Sequence, residues 1–111
     1  MTEKKRDTTR VEFHTRAELR FGEVQLQGKV ENLSLTGMFL VADSGSEGLE
    51  EAAADEPVSV VIRLAGLASD LSLSLEGKVV RRERRGLGIE FTDMEFDTFV
   101  HLRNIVAYNA G

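Results

Sequence analysis

The sequence predicts a mainly β protein, a six-stranded antiparallel β-barrel with a C-terminal α-helix. Three observations predict this fold. Apolar and polar residues alternate with a period of two over six short segments, as in strands that bury one face. No segment between these strands is long enough for the helical crossover that parallel strands need. Over residues 93–106 the apolar spacing changes to that of a helix.

The first two strands form a predicted hairpin. Odd positions are mainly apolar over residues 11–21, and even positions are apolar over residues 24–30. Gly22 and Glu23 between these segments fit a tight turn. The remaining strands are predicted at 38–42, 58–64, 71–79 and 87–91, with a turn at 84–86 before the last one. Closure into a barrel would remove the exposed sheet edges of six such strands.

Two further segments complete the fold prediction. Residues 43–56 are rich in Gly and acids and predict a long surface loop, with room for a helical turn at 49–54. Asp93 is the predicted N-cap of the final helix. Phe96, Phe99 and Leu102 recur at helical spacing, which predicts an apolar stripe that packs against the barrel or plugs one of its ends. The chain is then one domain, with a flexible basic arm at 1–10 and the barrel with its helix at 11–111.

Composition excludes several classes of function. The chain has no Cys and two His among 111 residues, which leaves little material for a metal or disulfide site. No apolar run approaches the roughly 20 residues of a membrane helix, and no signal peptide is visible, so we expect a cytoplasmic protein without membrane insertion. A net charge of −5 disfavours nucleic-acid binding. No nucleophile–base set or phosphate loop can be assembled, so we expect neither an enzyme nor a cofactor.

Two short motifs are suited to an anionic nucleotide. The first is an Arg-x-x-x-Arg formed by Arg6 and Arg10, preceded by Lys5. Arginine pairs bidentately with phosphate or with the O6/N7 edge of guanine. The second is the Asn-x-Ser-x-x-Gly at residues 32–37, in which an amide and a hydroxyl can hydrogen-bond a base edge or a phosphate. Strict alternation would point both polar groups into the core, which predicts a bulge or a position at the barrel rim. The glycine of this motif would allow a positive φ or a close approach of the ligand.

In this order and spacing the two motifs resemble the PilZ domain, the bacterial receptor domain for cyclic di-GMP. The segments Gly-Lys-Val-Val-Arg at 77–81 and Gly-Leu-Gly-Ile-Glu-Phe-Thr-Asp at 86–93 are similar to later strands of that family, so the likeness covers nearly the whole chain. The resemblance implies the same barrel and helix. It also implies a bacterial signalling role in motility, pilus function or biofilm exopolysaccharide synthesis.

The resemblance also implies roles for individual residues. The N-terminal arginines would grip guanine and phosphate, and the amide and hydroxyl of the second motif would contact the ligand. Two departures are a lysine in place of a frequent further arginine, and Asn in place of the commoner Asp. Because of these departures, the resemblance leaves open how tightly the chain binds cyclic di-GMP and whether one or two nucleotides bind. The implied ligand-binding residues are Lys5, Arg6, Arg10, Asn32, Ser34, Gly37 and Arg81.

We therefore expect a receptor that binds cyclic di-GMP at the barrel rim and relays it to an unidentified protein effector by ordering its N-terminal arm. The alternative is a PilZ adaptor that binds no nucleotide and acts only through protein–protein contacts. A third hypothesis, an oligonucleotide-binding barrel, is disfavoured by the net charge and by the 6% aromatic content.

Overall fold

The computed structural model describes residues 14–44, 48–65 and 70–109. The predicted arm at 1–10, with Lys5, Arg6 and Arg10, lies outside the described residues, as does the first part of the predicted first strand. Six strands and one α-helix make up the described fold. Their bounds are β1 His14–Phe21, β2 Val24–Glu31, β3 Gly37–Ala42, β4 Pro57–Ala65, β5 Asp70–Glu83, β6 Gly86–Asp93 and α1 Phe96–Asn109.

The six strands form a closed antiparallel barrel, which confirms the predicted fold class. The strand order around the barrel is β1-β2-β3-β6-β5-β4, and β4 pairs with β1 to close it. In this cyclic order the β1–β4 wall lies across the barrel from the β3–β6 wall. Closure leaves none of these strands with an unpaired edge.

The barrel interior follows the alternation in the sequence. Leu19 of β1, Leu26 of β2, Leu40 of β3 and Ile62 of β4 are fully buried in one aliphatic core. The β1–β2 hairpin turns at Gly22, whose φ of 57° lies in the left-handed region that glycine adopts without strain. The predicted hairpin is therefore confirmed.

The C-terminal helix packs against the barrel, but not through all the residues that its spacing predicts. Leu102 is fully buried in the core, and the Thr98 hydroxyl donates to the Ser74 carbonyl of β5 at 3.5 Å. Phe96 and Phe99 are 76% and 37% exposed, so their predicted place in the apolar stripe is wrong. Asp93 does not cap the helix, because it still belongs to β6 and pairs with Glu76.

The acidic segment after β3 is attached to β5 rather than free. It contains a 3-10 turn at Leu49–Glu51, where a helical turn was predicted, while residues 45–47 lie outside the description. The Asp55 amide donates to the Val79 carbonyl at 2.8 Å, and the Val79 amide donates to the Glu56 carbonyl at 2.9 Å. Arg82 donates from the β5 side to the Glu50 carbonyl. These bonds hold the acidic segment beside β5.

Candidate functional site

The second motif forms the connection between β2 and β3 at one end of the barrel. β2 ends at Glu31, and Asn32 has a φ of 55°, in the left-handed region. This backbone turn interrupts the alternation that would otherwise point Asn32 and Ser34 into the core, as predicted for a rim position. Asn tolerates this conformation better than most residues with a side chain. The Asn32 side chain is exposed, and within the described residues its amide has no hydrogen-bond partner.

Ser34 holds this connection together by hydrogen bonds inside the motif. Its Oγ accepts the amides of Thr36 and Gly37, each at 3.2 Å, and lies 3.3 Å from the Gly37 carbonyl oxygen. The Ser34 amide donates to the same carbonyl at 2.9 Å. The hydroxyl therefore fixes the loop that carries Asn32. A direct contact of Ser34 with a ligand stays a prediction.

Gly37 allows close packing of β3 against β6. A Cβ at this position would lie well inside van der Waals distance of the Ile89 carbonyl oxygen. The Phe91 amide also donates to the Thr36 carbonyl at 2.8 Å, which attaches the loop to β6. Of the two roles expected for this glycine, a positive φ or a close approach, the positive φ is not found at Gly37, and the left-handed residue of the motif is Asn32. The close approach of β6 therefore requires glycine at position 37, with or without a bound ligand.

A β-bulge in β5 turns Arg81 towards solvent. Val79 pairs with Ile89 and Arg81 pairs with Gly88, so Val80 has no partner on β6. Odd positions of β5 before the bulge point into the core, as Val79 does with 1% exposure. The extra residue reverses this phase, and the Arg81 side chain is 59% exposed.

Phe39 forms an aromatic platform on the outer side of the barrel. It is 3% exposed, yet it does not belong to the interior core that contains its neighbours Met38 and Leu40. The guanidinium carbons of Arg81 and Arg85 lie 5.3 and 4.8 Å from the centroid of its ring. Both distances are within the range of cation–π attraction. Two arginines therefore cover one buried ring.

Glutamates hold both of these arginines in place. Arg81 Nε lies 2.9 Å from Glu83 Oε2, and Arg85 lies 3.3 Å from Glu31 Oε1. All four side chains are partly exposed, so each pair contributes orientation more than stability. The guanidinium of Arg81 is thereby fixed between the Phe39 ring and the solvent.

An open cleft of about 420 Å³ lies beside this platform. Its volume is within the roughly 300–1,000 Å³ that is usual for small-molecule sites. The predicted site residues Asn32, in the β2–β3 connection, and Arg81, on β5, both line it. The remaining lining residues are Met38, Phe39, Val80, Gly88 and Ile89.

The first strand begins at the same end of the barrel. Arg16, near the start of β1, pairs with Lys29, near the end of β2, and β2 leads directly into Asn32. The start of β1 therefore lies at the end of the barrel that carries the second motif. Ser34 and Gly37 support this site from within the loop.

Sequence reasoning missed Phe39 and Arg85. Phe39 was predicted only as one residue of the strand at 38–42, and Arg85 only as part of the turn at 84–86. One sequence signal was available. Gly86 and Gly88 leave the first part of the outer face of β6 without side chains, and a Cβ at Gly86 would overlap the Leu40 carbonyl oxygen and approach Cε2 of Phe39 to 3.0 Å. Two glycines two residues apart on a strand indicate that another part of the chain approaches that face closely.

Other kinds of site find no support in the described part of the chain. Residues 14–44, 48–65 and 70–109 contain no group of three or more His, Asp or Glu side chains that could hold a metal ion. In the same ranges no helix has the length and apolar character required to cross a membrane.

Comparison with known protein families agrees with the fold of the barrel and its helix. The sequence matches the model of the PilZ domain over residues 4–108. A search of curated proteins found no significant match.

Proposed function

Because the chain belongs to the PilZ domain family, a family of cyclic di-GMP receptor domains, we propose that this protein binds cyclic di-GMP at the cleft beside the β2–β3 connection. The family consists of binding domains, and we propose that this member has no catalytic activity and acts in the cytoplasm. Lys5, Arg6 and Arg10 would supply the phosphate and guanine contacts, and Asn32 and Arg81 would hold a base.

The observation that carries the proposal is the placement of Asn32 and Arg81 on one cleft. Asn32 presents a free amide, which can bond a guanine edge. Arg81 presents a guanidinium that is fixed over Phe39, and its free face can stack on the base. The ring, the guanidinium and the base would then form one stack on the outer wall of the barrel.

The first motif is close enough in sequence to reach this site. Arg10 precedes the first residue of β1 by four positions, and four residues of extended chain span at most about 14 Å. The start of β1 lies at the same barrel end as Asn32. Binding of Arg6 and Arg10 to the two phosphates would order the N-terminal arm against the barrel. The ordered arm would create the surface that an effector protein recognises.

Calorimetric titration with cyclic di-GMP tests this proposal, with GTP and GMP as control nucleotides. We expect saturable binding of cyclic di-GMP alone. We expect at least tenfold weaker binding for Arg10→Ala and for Arg81→Ala, because each loses a charge-assisted or stacking contact. Arg84→Ala is the matched control, since Arg84 is an exposed arginine of the β5–β6 turn with no ion pair among the described residues. Equal affinity of wild type and Arg10→Ala would remove that residue from the site.

The adaptor alternative has one observation in its favour. Ser34 and Gly37 have structural roles that account for half of the second motif without a ligand. If no heat and no spectral change appear at millimolar cyclic di-GMP, the motif serves the loop alone. The protein would then act through its protein-binding surfaces.

A further inference from the structure

The outer face of the β1–β4 wall, together with the adjacent strand β2, carries a row of three cations. Arg16 of β1 is paired directly with Lys29 of β2 on one side and with Arg63 of β4 on the other. All three side chains are exposed. Adjacent strands lie about 4.8 Å apart, so the row extends about 10 Å across the sheet. Arg20 adds a fourth cation on the same face of β1, four residues further along.

Carboxylates balance this face only in part. Glu18 is 6% exposed, and its oxygens lie 2.9 Å from Arg20 and 3.5 Å from Arg63. Arg16 pairs with Asp43. Lys29 has no ion pair within the described residues. Glu18 thus fixes two guanidinium groups at the surface, and within residues 14–44, 48–65 and 70–109 three of the four cations pair with two carboxylates while Lys29 pairs with none.

This arrangement places like charges opposite each other, and Asp43 and Glu18 offset them only in part. Like charges directly opposite each other on neighbouring strands repel, and the row contains two such pairs, Lys29 with Arg16 and Arg16 with Arg63. Acidic residues outnumber basic ones in this chain, yet all three positions of the row are basic. Asp43 and Glu18 offset the charges of Arg16 and Arg63, whereas Lys29 has no ion pair among the described residues, and an anionic partner would neutralise it.

The row is also separate from the nucleotide cleft. The cleft lies at β3, β5 and β6, and the β1–β4 wall is on the opposite side of the barrel from β3–β6. Arg16, Lys29 and Arg63 line none of the cleft. An anion bound on this wall would therefore be a second ligand.

We propose that this basic wall, formed by Arg16, Arg20, Lys29 and Arg63, binds an acidic helical segment of a partner protein. Carboxylates at positions i and i+4 of a helix stand about 5–6 Å apart, close to the spacing of the row. A helix laid across the strands would place successive carboxylates against Lys29, Arg16 and Arg63. Gln25 and Gln27, exposed on the same face of β2, add hydrogen-bond donors beside it.

A short acidic segment fits better than a nucleic acid or an anionic membrane. The patch is about two strand spacings wide, while the whole chain carries a net charge of −5. A long polyanion would meet the acidic remainder of the surface, whereas a single helix contacts only the patch. Nucleic acid and anionic lipid are therefore the competing ligands that the test must include.

The test uses a fluorescent helical peptide with Glu at i and i+4 along one face. We expect saturable binding by fluorescence anisotropy that weakens as salt rises. The double variant Arg16→Gln/Lys29→Gln should bind about tenfold more weakly, from roughly threefold for each exposed ion pair. The control Arg84→Gln/Arg103→Gln removes the same charge from exposed positions elsewhere and should change affinity less than twofold.

A second measurement separates lost binding from lost folding. Lys29→Gln removes repulsion without breaking an ion pair, so its urea midpoint should equal or exceed that of wild type. Absence of saturable peptide binding would overturn the proposal, as would equal weakening in the control. Tighter binding of a DNA duplex or of phosphatidylserine vesicles than of the peptide would also overturn it. None of these experiments uses cyclic di-GMP, so their outcome is independent of the titration that tests the proposed nucleotide site.

Discussion

Substitution of Asn32 separates the backbone role of this residue from its proposed contact with guanine. Asn32 combines a left-handed backbone with an exposed amide that lines the cleft. Asn32→Gly keeps the backbone conformation and removes the amide. Asn32→Ala removes the amide and also places an ordinary Cβ in the left-handed region. Asn32→Asp keeps the shape and adds a negative charge.

We expect the three variants to differ in their stability and in their affinity for cyclic di-GMP. A left-handed backbone costs an L-residue about 1–2 kcal/mol, part of which is offset by the greater unfolded-state entropy of glycine. We expect the glycine variant to be more stable than the alanine variant by about 1 kcal/mol. Both should lose the same affinity, since a bidentate contact with a base edge contributes about 1–3 kcal/mol, or roughly 5–150-fold. Asn32→Asp should bind more tightly than wild type, because charge-assisted hydrogen bonds are stronger than neutral ones.

Urea unfolding measures the stabilities, and calorimetric titration with cyclic di-GMP measures the affinities. If Asn32→Gly binds as tightly as wild type, the amide does not contact the nucleotide. If the glycine and alanine variants are equally stable, the left-handed φ at this position is not a constraint. If the glycine and alanine variants are equally stable but bind cyclic di-GMP with different affinities, the backbone conformation and the amide of Asn32 do not have separate roles.

Four other substitutions, the last of them a control, test the packing of the site and of the barrel core. Gly37→Ala should lower the free energy of unfolding by about 1–3 kcal/mol, because the added methyl meets the Ile89 carbonyl; a wild-type urea midpoint would contradict this. Phe39→Leu should weaken cyclic di-GMP binding severalfold and mobilise the Arg81 side chain, which arginine Nε relaxation by NMR would detect; unchanged relaxation would show that the ring does not hold the guanidinium. Leu102→Ala should lower the free energy of unfolding by about 2–5 kcal/mol, whereas Phe96→Ala should change it by no more than about 0.5 kcal/mol; equal effects would mean that the two residues are buried alike.

Much of the fold could be predicted from the sequence because half-buried strands have a period of two. Each predicted strand was found, with ends that differ by a few residues, and the turn at Gly22 follows from local chemistry. The rim position of Asn32 was also predictable, since two polar residues in phase with the core indicate a break in the strand. These features depend on residues that are near one another in the chain.

The helix could be predicted only in part. Its periodicity identified Leu102 as buried, but gave Phe96 and Phe99 the same status. Periodicity defines an apolar stripe, while the position of the barrel determines how much of that stripe is covered. In the first turn of α1, Thr98 contacts β5, whereas Phe96 and Phe99 of the same turn remain exposed.

The sequence by itself determined the strands, the barrel class, the two motifs and the net acidic charge, since each is a local or compositional property. Only the tertiary structure decided that Arg81 faces outward, because a single bulged residue at Val80 reverses the alternation of β5. It also decided that Phe39 is buried outside the core, under two arginines. The alignment of Lys29, Arg16 and Arg63 depends on pairing between three strands. Register couples residues that are far apart in the chain, and no local pattern encodes which of them become neighbours.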